Sequence, residues 1–281
     1  MKLKRQQISV LVLGSTGMLG SAIIRYLAGC GYKAVKVPDL SWRIDTHPIT
    51  ELSLSRIDYV INAAGIINRR ITSSESRADA YLVNSIFPRR LADYCESHGV
   101  RLLHISTDCI FDGRSGLYYE NSEPIPKDIY GESKLLGEPM NALVLRTSII
   151  GPELNNGYSL MCWLLSNNDS ECKGYTNHRW NGLTTVELSR CIDEIIEQDM
   201  YAHRVQHIFG EDVTKHELLN MMVNAFKKNI QVNSCEDVIG RDMRLRTNNN
   251  DWISSLNIRP MRDQLSTIAS LCDSNGRWLS V

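Results

Sequence analysis

The sequence lacks the features of membrane-spanning, disulfide-rich and zinc-binding proteins. No stretch approaches the ~20 apolar residues that a transmembrane helix needs. The eight cysteines, at positions 30, 95, 109, 162, 172, 191, 235 and 272, include no CxxC pair. We therefore expect neither a metal site nor a disulfide framework, and a reducing cytoplasm is the simplest location. The apolar run after Lys4 and Arg5 is too short for a signal peptide, so we expect none.

An excess of charge of either sign is also lacking. The formal net charge is -1 over 281 residues, which gives no general attraction to nucleic acid or to an anionic membrane surface. Apolar residues make up 43% and charged residues 22%, as in ordinary globular proteins. The length suits one large domain, or a large and a small one that share a core.

Residues 1–150 alternate short apolar runs with helical stretches. The runs at 8–13, 33–37, 58–64, 101–106 and 142–146 predict strands, and the spacing over 19–28, 78–97 and 130–138 predicts helices. This alternation is typical of an α/β fold, and we predict a Rossmann-type doubly wound parallel sheet that forms a dinucleotide-binding domain.

Residues 151–281 have a different texture. Asparagine-rich segments at 155–157, 167–169 and 248–250 predict loops, and only 183–197 and 215–226 have clear helical spacing. We predict a smaller, mixed C-terminal substrate lobe, some of whose segments return to the main sheet.

A glycine-rich turn joins the first predicted strand to the first predicted helix. Such glycines permit a tight turn and let a pyrophosphate approach backbone N–H groups at the positive end of the helix. The position after an N-terminal strand favours a dinucleotide site over a plain turn. The turn consists of Gly14, Ser15, Thr16, Gly17, Met18, Leu19 and Gly20.

The residues after the second strand bear on the choice of coenzyme. Asp39 is near the position where a carboxylate would accept the ribose 2'-hydroxyl of NAD, but it follows Pro38. Lys36 and Arg43 equally suit a 2'-phosphate, and Asp45 lies where a loop would reach the adenine. NADP(H) is slightly preferred over NAD(H).

Tyr130 and Lys134 carry the most informative spacing in the chain. Residues four apart on a helix lie on the same side, so the lysine ammonium is expected to lower the pKa of the phenol toward the working range. Thr107 lies upstream and can hold a substrate oxygen beside that phenol. This set suits reversible protonation of a carbonyl oxygen, with a nicotinamide supplying the hydride.

Taken together, these motifs resemble the extended short-chain dehydrogenase/reductases, and within them the dTDP-4-dehydrorhamnose reductase group. The resemblance lies in GSTGMLG at 14–20, INAAG at 61–65, STDCIFDG at 106–113, YGESKLLGE at 130–138 and LRTSIIGP at 145–152. The motifs cover about the first 150 residues, and the second half matches loosely, chiefly in WNGLTTVEL at 180–188.

The resemblance implies a role for each matching residue. Tyr130 would donate the proton, Lys134 would bind the nicotinamide ribose, Thr107 would hold the carbonyl and Asn84 would lie near the site. The end of the third strand would line the cofactor through Asn62, Ala63, Ala64 and Gly65. Substrate contacts are expected from Thr107, Asp108, Cys109, Trp180 and Asn181.

Two departures separate the chain from rhamnose-forming reductases. Cys109 stands where these usually carry tyrosine, and Ile149 where an aromatic residue is common, so the reaction type is better supported than the sugar. Cys109 is expected to be a buried thiol rather than a nucleophile. His98, His104 and His207 have no ligand spacing and are expected to have structural roles.

Several alternatives stay open at this point. An epimerase or dehydratase uses the same tyrosine and lysine, and the family also includes regulatory subunits that bind a dinucleotide and a partner enzyme. Trp180 and Asn181 suit either substrate contact or an ordinary packed loop. Arg244 and Arg246 suit either a substrate diphosphate or solvent. The expected partner is a nucleotide sugar, and a homodimer is the commonest assembly.

Overall fold

The computed structural model describes residues 4–39, 41–154, 159–166 and 170–279. The chain forms two compact units. The first contains Met1–Asp112, Glu123–Arg146 and Ile192–Gln206, and the second contains Gly113–Ser122, Thr147–Cys191 and His207–Val281. The loops predicted at 155–157 and 167–169 lie outside the described residues. The domain boundary expected at residue 150 stays a prediction.

A six-stranded sheet organises the first unit. Its strands are β1 (Ser9–Leu13), β2 (Ala34–Lys36), β3 (Tyr59–Asn62), β4 (Arg101–Thr107), β5 (Leu143–Thr147) and β10 (Arg204–His207). The order across the sheet is β10-β5-β4-β3-β1-β2. Strand β1 pairs in parallel with β2 and β3, and β3 pairs in parallel with β4. The predicted Rossmann-type parallel sheet is confirmed.

The strand order places a crevice at the carboxyl end of β1. From β1 the chain moves outward to β2 and then returns to the other side of β1 as β3, so the order reverses between β1 and β3. Open parallel sheets bind ligands outside the carboxyl ends of the strands at such a reversal. All five residues of β1 are buried, as expected for a strand covered by helices on both faces.

The helices of the first unit follow the predicted order with different ends. They are α1 (Met18–Ala28), α2 (Ser74–Tyr81), α3 (Phe87–Ser97) and α4 (Ile129–Leu136). The predicted helix 78–97 begins earlier, at Ser74, because Ser73 caps it with a capping box. Residues Leu82–Ile86 form a π turn between α2 and α3. Helix α4 ends before Gly137, two residues before the end predicted from Pro139.

The second unit combines short strands with helices. Its strands are β6 (Ile149–Ile150), β7 (Glu171–Tyr175), β8 (His178–Trp180), β9 (Leu183–Thr184), β11 (Val213–Thr214), β12 (Gln231–Cys235) and β13 (Arg241–Asp242). Its helices are α5 (Leu160–Ser166), α7 (Lys215–Ala225), α8 (Asn250–Ser255) and α9 (Met261–Leu271). Helix α6 (Thr185–Glu197) contains residues of both units. The helix predicted over 183–197 begins two residues later than expected, because residues 183–184 form β9 and pair with β6. Within the described residues, no helix combines the length and the apolar character needed to span a bilayer.

Candidate active site

The glycine turn lies between β1 and α1, where the strand order reverses. Gly14 has φ +78°, and a Cβ there would be 2.7 Å from the Ala64 nitrogen, so only glycine fits. A Cβ at Gly20 would overlap the Gly14 carbonyl oxygen. Gly17 is exposed and caps α1. The turn therefore brings backbone N–H groups to the N-terminus of an 11-residue helix, an arrangement that fits a pyrophosphate.

The remaining residues of this turn divide into accessible and buried positions. Ser15 and Met18 are partly exposed and Thr16 is exposed, whereas Leu19 packs its side chain in the core at 5% exposure. Leu19 therefore offers a cofactor only its backbone. Its predicted cofactor contact and those of its neighbours stay predictions.

The segment after β3 is held from two sides. Asn62 is buried, and its Oδ1 accepts from the Ala64 N–H at 3.2 Å. Asn84, in the π turn, accepts from the Ile66 N–H at 2.8 Å and donates to the Ile66 carbonyl at 2.9 Å. Its Nδ2 also donates to Ser133 Oγ of α4 at 3.0 Å. Asn84 thus links the β3 loop, which contains the exposed Gly65, to the helix of Tyr130, and its catalytic role stays a prediction.

The carboxyl end of β4 carries three neighbouring polar groups. Thr107 is buried and its Oγ1 accepts from the Cys109 N–H at 3.2 Å. The Thr107 hydroxyl and the Cys109 thiol both donate to Asp108 Oδ1, at 3.3 and 3.6 Å. Burial and this carboxylate raise the pKa of the Cys109 thiol. Cys109 is therefore protonated at neutral pH, which favours the inert thiol over the nucleophile.

Helix α4 begins beside this strand end. Asp128 caps it, its Oδ1 accepting from the Gly131 N–H at 2.8 Å. A Cβ at Gly131 would overlap the Cys109 carbonyl oxygen, so glycine permits the close approach of the helix to the 108–110 turn. Tyr130 lies at this contact, and its side chain hydrogen-bonds Thr107. The structure thus brings together Thr107, Cys109 and Tyr130.

The expectation that Lys134 lowers the pKa of Tyr130 is wrong for this structure. Burial raises the pKa of Tyr130 above its ordinary range, and the nearby Cys109 and Asp108 act in the same direction. The hydrogen bond with Thr107 opposes this rise only in part. Desolvation disfavours the phenolate more than the neighbours favour it, so Tyr130 is a neutral phenol at pH 7.

Lys134 is buried and directs its ammonium at the main chain. Its Nζ donates to the Ile105 carbonyl of β4 at 2.6 Å. Burial lowers the pKa of Lys134 to about 8, while the Glu138 carboxylate opposes that shift. Lys134 therefore stays mostly charged at pH 7 and releases its proton within about one pH unit of neutrality.

A buried ion pair beside Lys134 was not anticipated from the sequence. Glu138 and Arg146 are each 8% exposed, with Arg146 Nη2 2.7 Å from Glu138 Oε2. Glu138 Oε1 accepts from Arg146 Nε at 2.9 Å and from Ser106 Oγ at 2.6 Å. The pair thus holds the hydroxyl of Ser106, the residue that precedes Thr107. Glutamate and arginine eight residues apart, across the end of a helix, carry no pattern that predicts this contact.

Of the candidates for coenzyme choice, Asp39, Arg43 and Asp45 follow β2 in an exposed loop, and Lys36 is the last residue of that strand. Asp39 Oδ1 accepts from the N–H and the hydroxyl of Ser41, at 2.9 and 2.6 Å. Arg43 pairs with Asp45 through two hydrogen bonds of 3.0 and 2.8 Å. Both carboxylates are therefore already engaged locally, and the predicted adenine contact of Asp45 stays a prediction.

Trp180 and Asn181 belong to the second unit. Asn181 is buried, and its amide is used internally: Oδ1 accepts from the Leu245 N–H at 2.9 Å, and Nδ2 donates to the Leu245 carbonyl at 3.0 Å. The Trp180 ring packs on the backbone of Gly182. These contacts are those of a packed loop, and substrate contact from either residue stays a prediction.

Arg244 and Arg246 are held by carboxylates of the same unit. Arg244 pairs with Asp242 at 2.6 Å and with Asp212 at 2.8 Å, and Arg246 pairs with Asp212 at 2.6 Å. Both arginines are therefore engaged within the unit, and the choice between a substrate diphosphate and solvent stays open. Any anion at this position would compete with the two aspartates.

Comparison with known proteins identifies the family. The family model described as RmlD substrate binding domain matches residues 8–243. The dTDP-4-dehydrorhamnose reductase of Mycobacterium tuberculosis is 34% identical over 135 residues, which cover 46% of this chain and 44% of that protein. Methionine adenosyltransferase 2 subunit beta of Xenopus tropicalis is 28% identical over 240 residues, covering 77% of this chain and 71% of that protein.

A solved structure agrees in fold. The dTDP-4-dehydrorhamnose reductase of Bacillus anthracis, in complex with NADP, superposes with a TM-score of 0.74 at 21% identity, covering 92% of this chain and 96% of that one. The chain spans about half the length of several curated relatives that it matches. Since the family model covers most of the sequence, the chain belongs to the RmlD substrate binding domain family.

Proposed function

We propose that the chain is an NAD(P)H-dependent reductase of a nucleotide-linked keto sugar, and that the sugar is a 4-keto-6-deoxyhexose. The observation that carries this proposal is the juxtaposition of Thr107 and Tyr130 at the carboxyl end of β4, with Lys134 buried one turn further along α4. The similarity to reductases of dTDP-4-dehydrorhamnose supports the substrate class.

The glycine turn supports the coenzyme assignment. Gly14, Gly17 and Gly20 leave room for a phosphate group against the N-terminus of α1, where a side chain at Gly14 or Gly20 would overlap backbone. With its pyrophosphate held there, the reduced coenzyme would supply a hydride from its nicotinamide to the carbonyl carbon. A slight preference for NADP(H) is part of this proposal; the Asp39 carboxylate is engaged by Ser41, and Arg43 is equally engaged by Asp45.

Tyr130 supplies the proton in this mechanism. Because burial raises its pKa, the phenol is protonated at neutral pH and can donate to the oxygen of a carbonyl as negative charge develops there. Thr107 holds that oxygen beside the phenol. Lys134, whose pKa is about 8, carries the proton that restores Tyr130 after each turnover.

The test is NADPH and NADH oxidation by the purified protein with freshly generated dTDP-, UDP- and GDP-linked 4-keto-6-deoxy sugars. Tyr130→Phe should bind the coenzyme within a few fold of the parent and lose about 10²- to 10⁴-fold in turnover, since it lacks the proton. A rate in Tyr130→Phe equal to that of the parent would remove the proposed mechanism.

A non-catalytic subunit is the second candidate. It is supported by the similarity to methionine adenosyltransferase 2 subunit beta over 77% of the chain, a coverage close to the 72% of the similarity to the dTDP-4-dehydrorhamnose reductase of Aggregatibacter actinomycetemcomitans. Dinucleotide binding without turnover on any sugar of the panel would favour this function. The cytoplasmic location and the homodimer stay predictions.

A further inference from the structure

His104 and Asn62 form a buried cross-strand pair under the predicted cofactor site. They occupy opposite positions in the parallel pairing of β3 with β4, and both are 0% exposed. Asn62 Nδ2 lies 3.1 Å from His104 Nδ1. The pair therefore connects the strand of Thr107 to the strand whose end is expected to line the cofactor.

The orientation of the Asn62 amide follows from its second partner. The Ala64 N–H needs an acceptor, and Asn62 Oδ1 provides it at 3.2 Å. The amide NH₂ group must then face His104, and two donors cannot share one hydrogen bond. His104 Nδ1 is consequently the acceptor, which requires the neutral tautomer with its proton on Nε2.

The surroundings of His104 keep it in that neutral form. Burial lowers the pKa of His104 well below its ordinary value, and the positive charge of Lys134 acts in the same direction. The Lys134 ammonium donates to the Ile105 carbonyl, one residue along the same strand. A protonated His104 would therefore place a second cation beside Lys134 and a donor against the Asn62 amide.

The turn that Asn62 holds is the surface against which the glycine turn packs. The Ala63 N–H donates to the Leu13 carbonyl at 3.1 Å, and a Cβ on Gly14 would be 2.7–2.8 Å from the backbone of Ala63 and Ala64. A shift of the Ala63–Ala64 backbone would thus move Gly14 as well. Three successive contacts lead from the histidine of β4 to the start of the glycine turn.

We propose that His104 is a positioning residue for the dinucleotide site: as a neutral acceptor it fixes the Asn62 amide, which fixes the Ala63–Ala64 turn against Gly14. This inference rests on the proposed function for the identity of the ligand. It assigns His104 no contact with coenzyme or substrate.

Coenzyme binding tests the proposal without turnover. His104→Phe keeps a planar ring of similar size but has no acceptor for Asn62, so the Kd for NADPH should rise about tenfold or more. Leu103→Ala is the matched control, because Leu103 is equally buried on the same strand and its truncation also destabilises the fold. At a temperature well below both midpoints, Leu103→Ala should bind NADPH within twofold of the parent.

A ¹⁵N NMR measurement tests the tautomer directly. In the parent, His104 Nδ1 should resonate as an unprotonated nitrogen and stay so from pH 8 to pH 6. Asn62→Asp presents a carboxylate oxygen instead of the NH₂ group, so Nδ1 should become protonated in that variant. The His104 resonances are assigned by their loss in His104→Phe.

The outcomes separate the two proposals. Equal NADPH affinity in His104→Phe and Leu103→Ala, or a protonated Nδ1 in the parent, would overturn the positioning role. If the parent bound no dinucleotide, the proposed function and the role of His104 in coenzyme binding would both be overturned, and the tautomer would still decide whether His104 holds Asn62.

Discussion

Replacing Glu138 by glutamine perturbs the buried ion pair at the end of α4. The substitution keeps the shape of the side chain and an oxygen for the Ser106 hydroxyl, but it removes the charge that faces Arg146. The glutamine amide has one oxygen and one NH₂ group, so its NH₂ group would face a guanidinium that itself has only donors. The perturbation is therefore electrostatic, with little change in packing volume.

The magnitude follows from the burial of both partners. Glu138 and Arg146 are each 8% exposed, so water screens the guanidinium poorly once its carboxylate is gone. Removal of one member of a buried pair costs about 3–5 kcal/mol. For a chain of this size that loss corresponds to a decrease of about 10 °C in the thermal midpoint.

A double variant separates charge from packing. Glu138→Gln with Arg146→Met removes both charges. The methionine places an unbranched apolar side chain near the Phe111 ring, whose centroid lies 5.9 Å from Arg146 Cζ in the parent. With both charges removed, no unpaired guanidinium is left in the interior, so the double variant should recover part of the lost stability. Thermal unfolding followed by circular dichroism for the parent, both single variants and the double variant gives the coupling free energy between the two side chains.

Two results would contradict the coupling of Glu138 with Arg146. If Glu138→Gln melts within about 2 °C of the parent, or if the double variant loses as much stability relative to the parent as the two single variants lose together, the two charges are not coupled. The buried pair would then contribute nothing beyond its packing.

Three further predictions concern His104, Gly137 and Lys134. Because burial lowers the pKa of His104, the unfolded chain binds a proton below about pH 6.5 that the folded chain does not. The free energy of unfolding should therefore decrease by about 1.4 kcal/mol for each pH unit that the pH falls below this value. Urea unfolding of His104→Phe at pH 6.5 and 5.5 should lack this part of the pH dependence, and an equal pH dependence in the parent and the variant would contradict the prediction. Gly137→Ala should lower the free energy of unfolding in urea by about 2 kcal/mol or more, because its Cβ would overlap the Asn84 carbonyl oxygen. Gly29→Ala is the control and should be near neutral, since its Cβ would lie at an ordinary 3.6 Å from the Tyr26 carbonyl oxygen. If Lys134 must be charged for turnover, kcat/KM should fall about tenfold per pH unit above pH 8 and Lys134→Arg should lose this limb; a flat profile to pH 9.5 would argue against that role.

The sheet and the glycine turn could be predicted because local patterns determine them. Apolar runs bounded by glycine give β1 and α1, and the distances at Gly14 explain why that position needs glycine. The spacing of Tyr130 and Lys134 likewise places both on α4. In each case the pattern that predicts the element lies within a few residues along the chain, although the contacts that require glycine at position 14 come from Ala63 and Ala64.

The electrostatics of the site could not be predicted in this way. The expected effect of Lys134 on Tyr130 was wrong because burial, which depends on tertiary packing, dominates the pKa of both groups. The pairs His104–Asn62 and Glu138–Arg146 join residues 42 and 8 positions apart. No periodicity within one element reveals such contacts.

The second unit shows the same limit at Asn181. An asparagine next to a tryptophan suggests a polar contact with a ligand, yet its amide binds the main chain of Leu245, 64 residues away. A short polar side chain serves a backbone as readily as a sugar, and only the fold tells which one it meets.

The π turn at Leu82–Ile86 adds one residue to the winding of a helix whose two halves are each packed against the molecule. Such a turn takes up the extra residue locally, so the α-helices on either side keep the inward faces that they would have in a continuous helix one residue shorter. Ala80 before the turn and Leu91 after it are accordingly both fully buried, while Asn84 within the turn accepts from the Ile66 N–H. Deletion of one of these five residues should therefore leave both flanking helices packed and disturb chiefly the contact between Asn84 and Ile66.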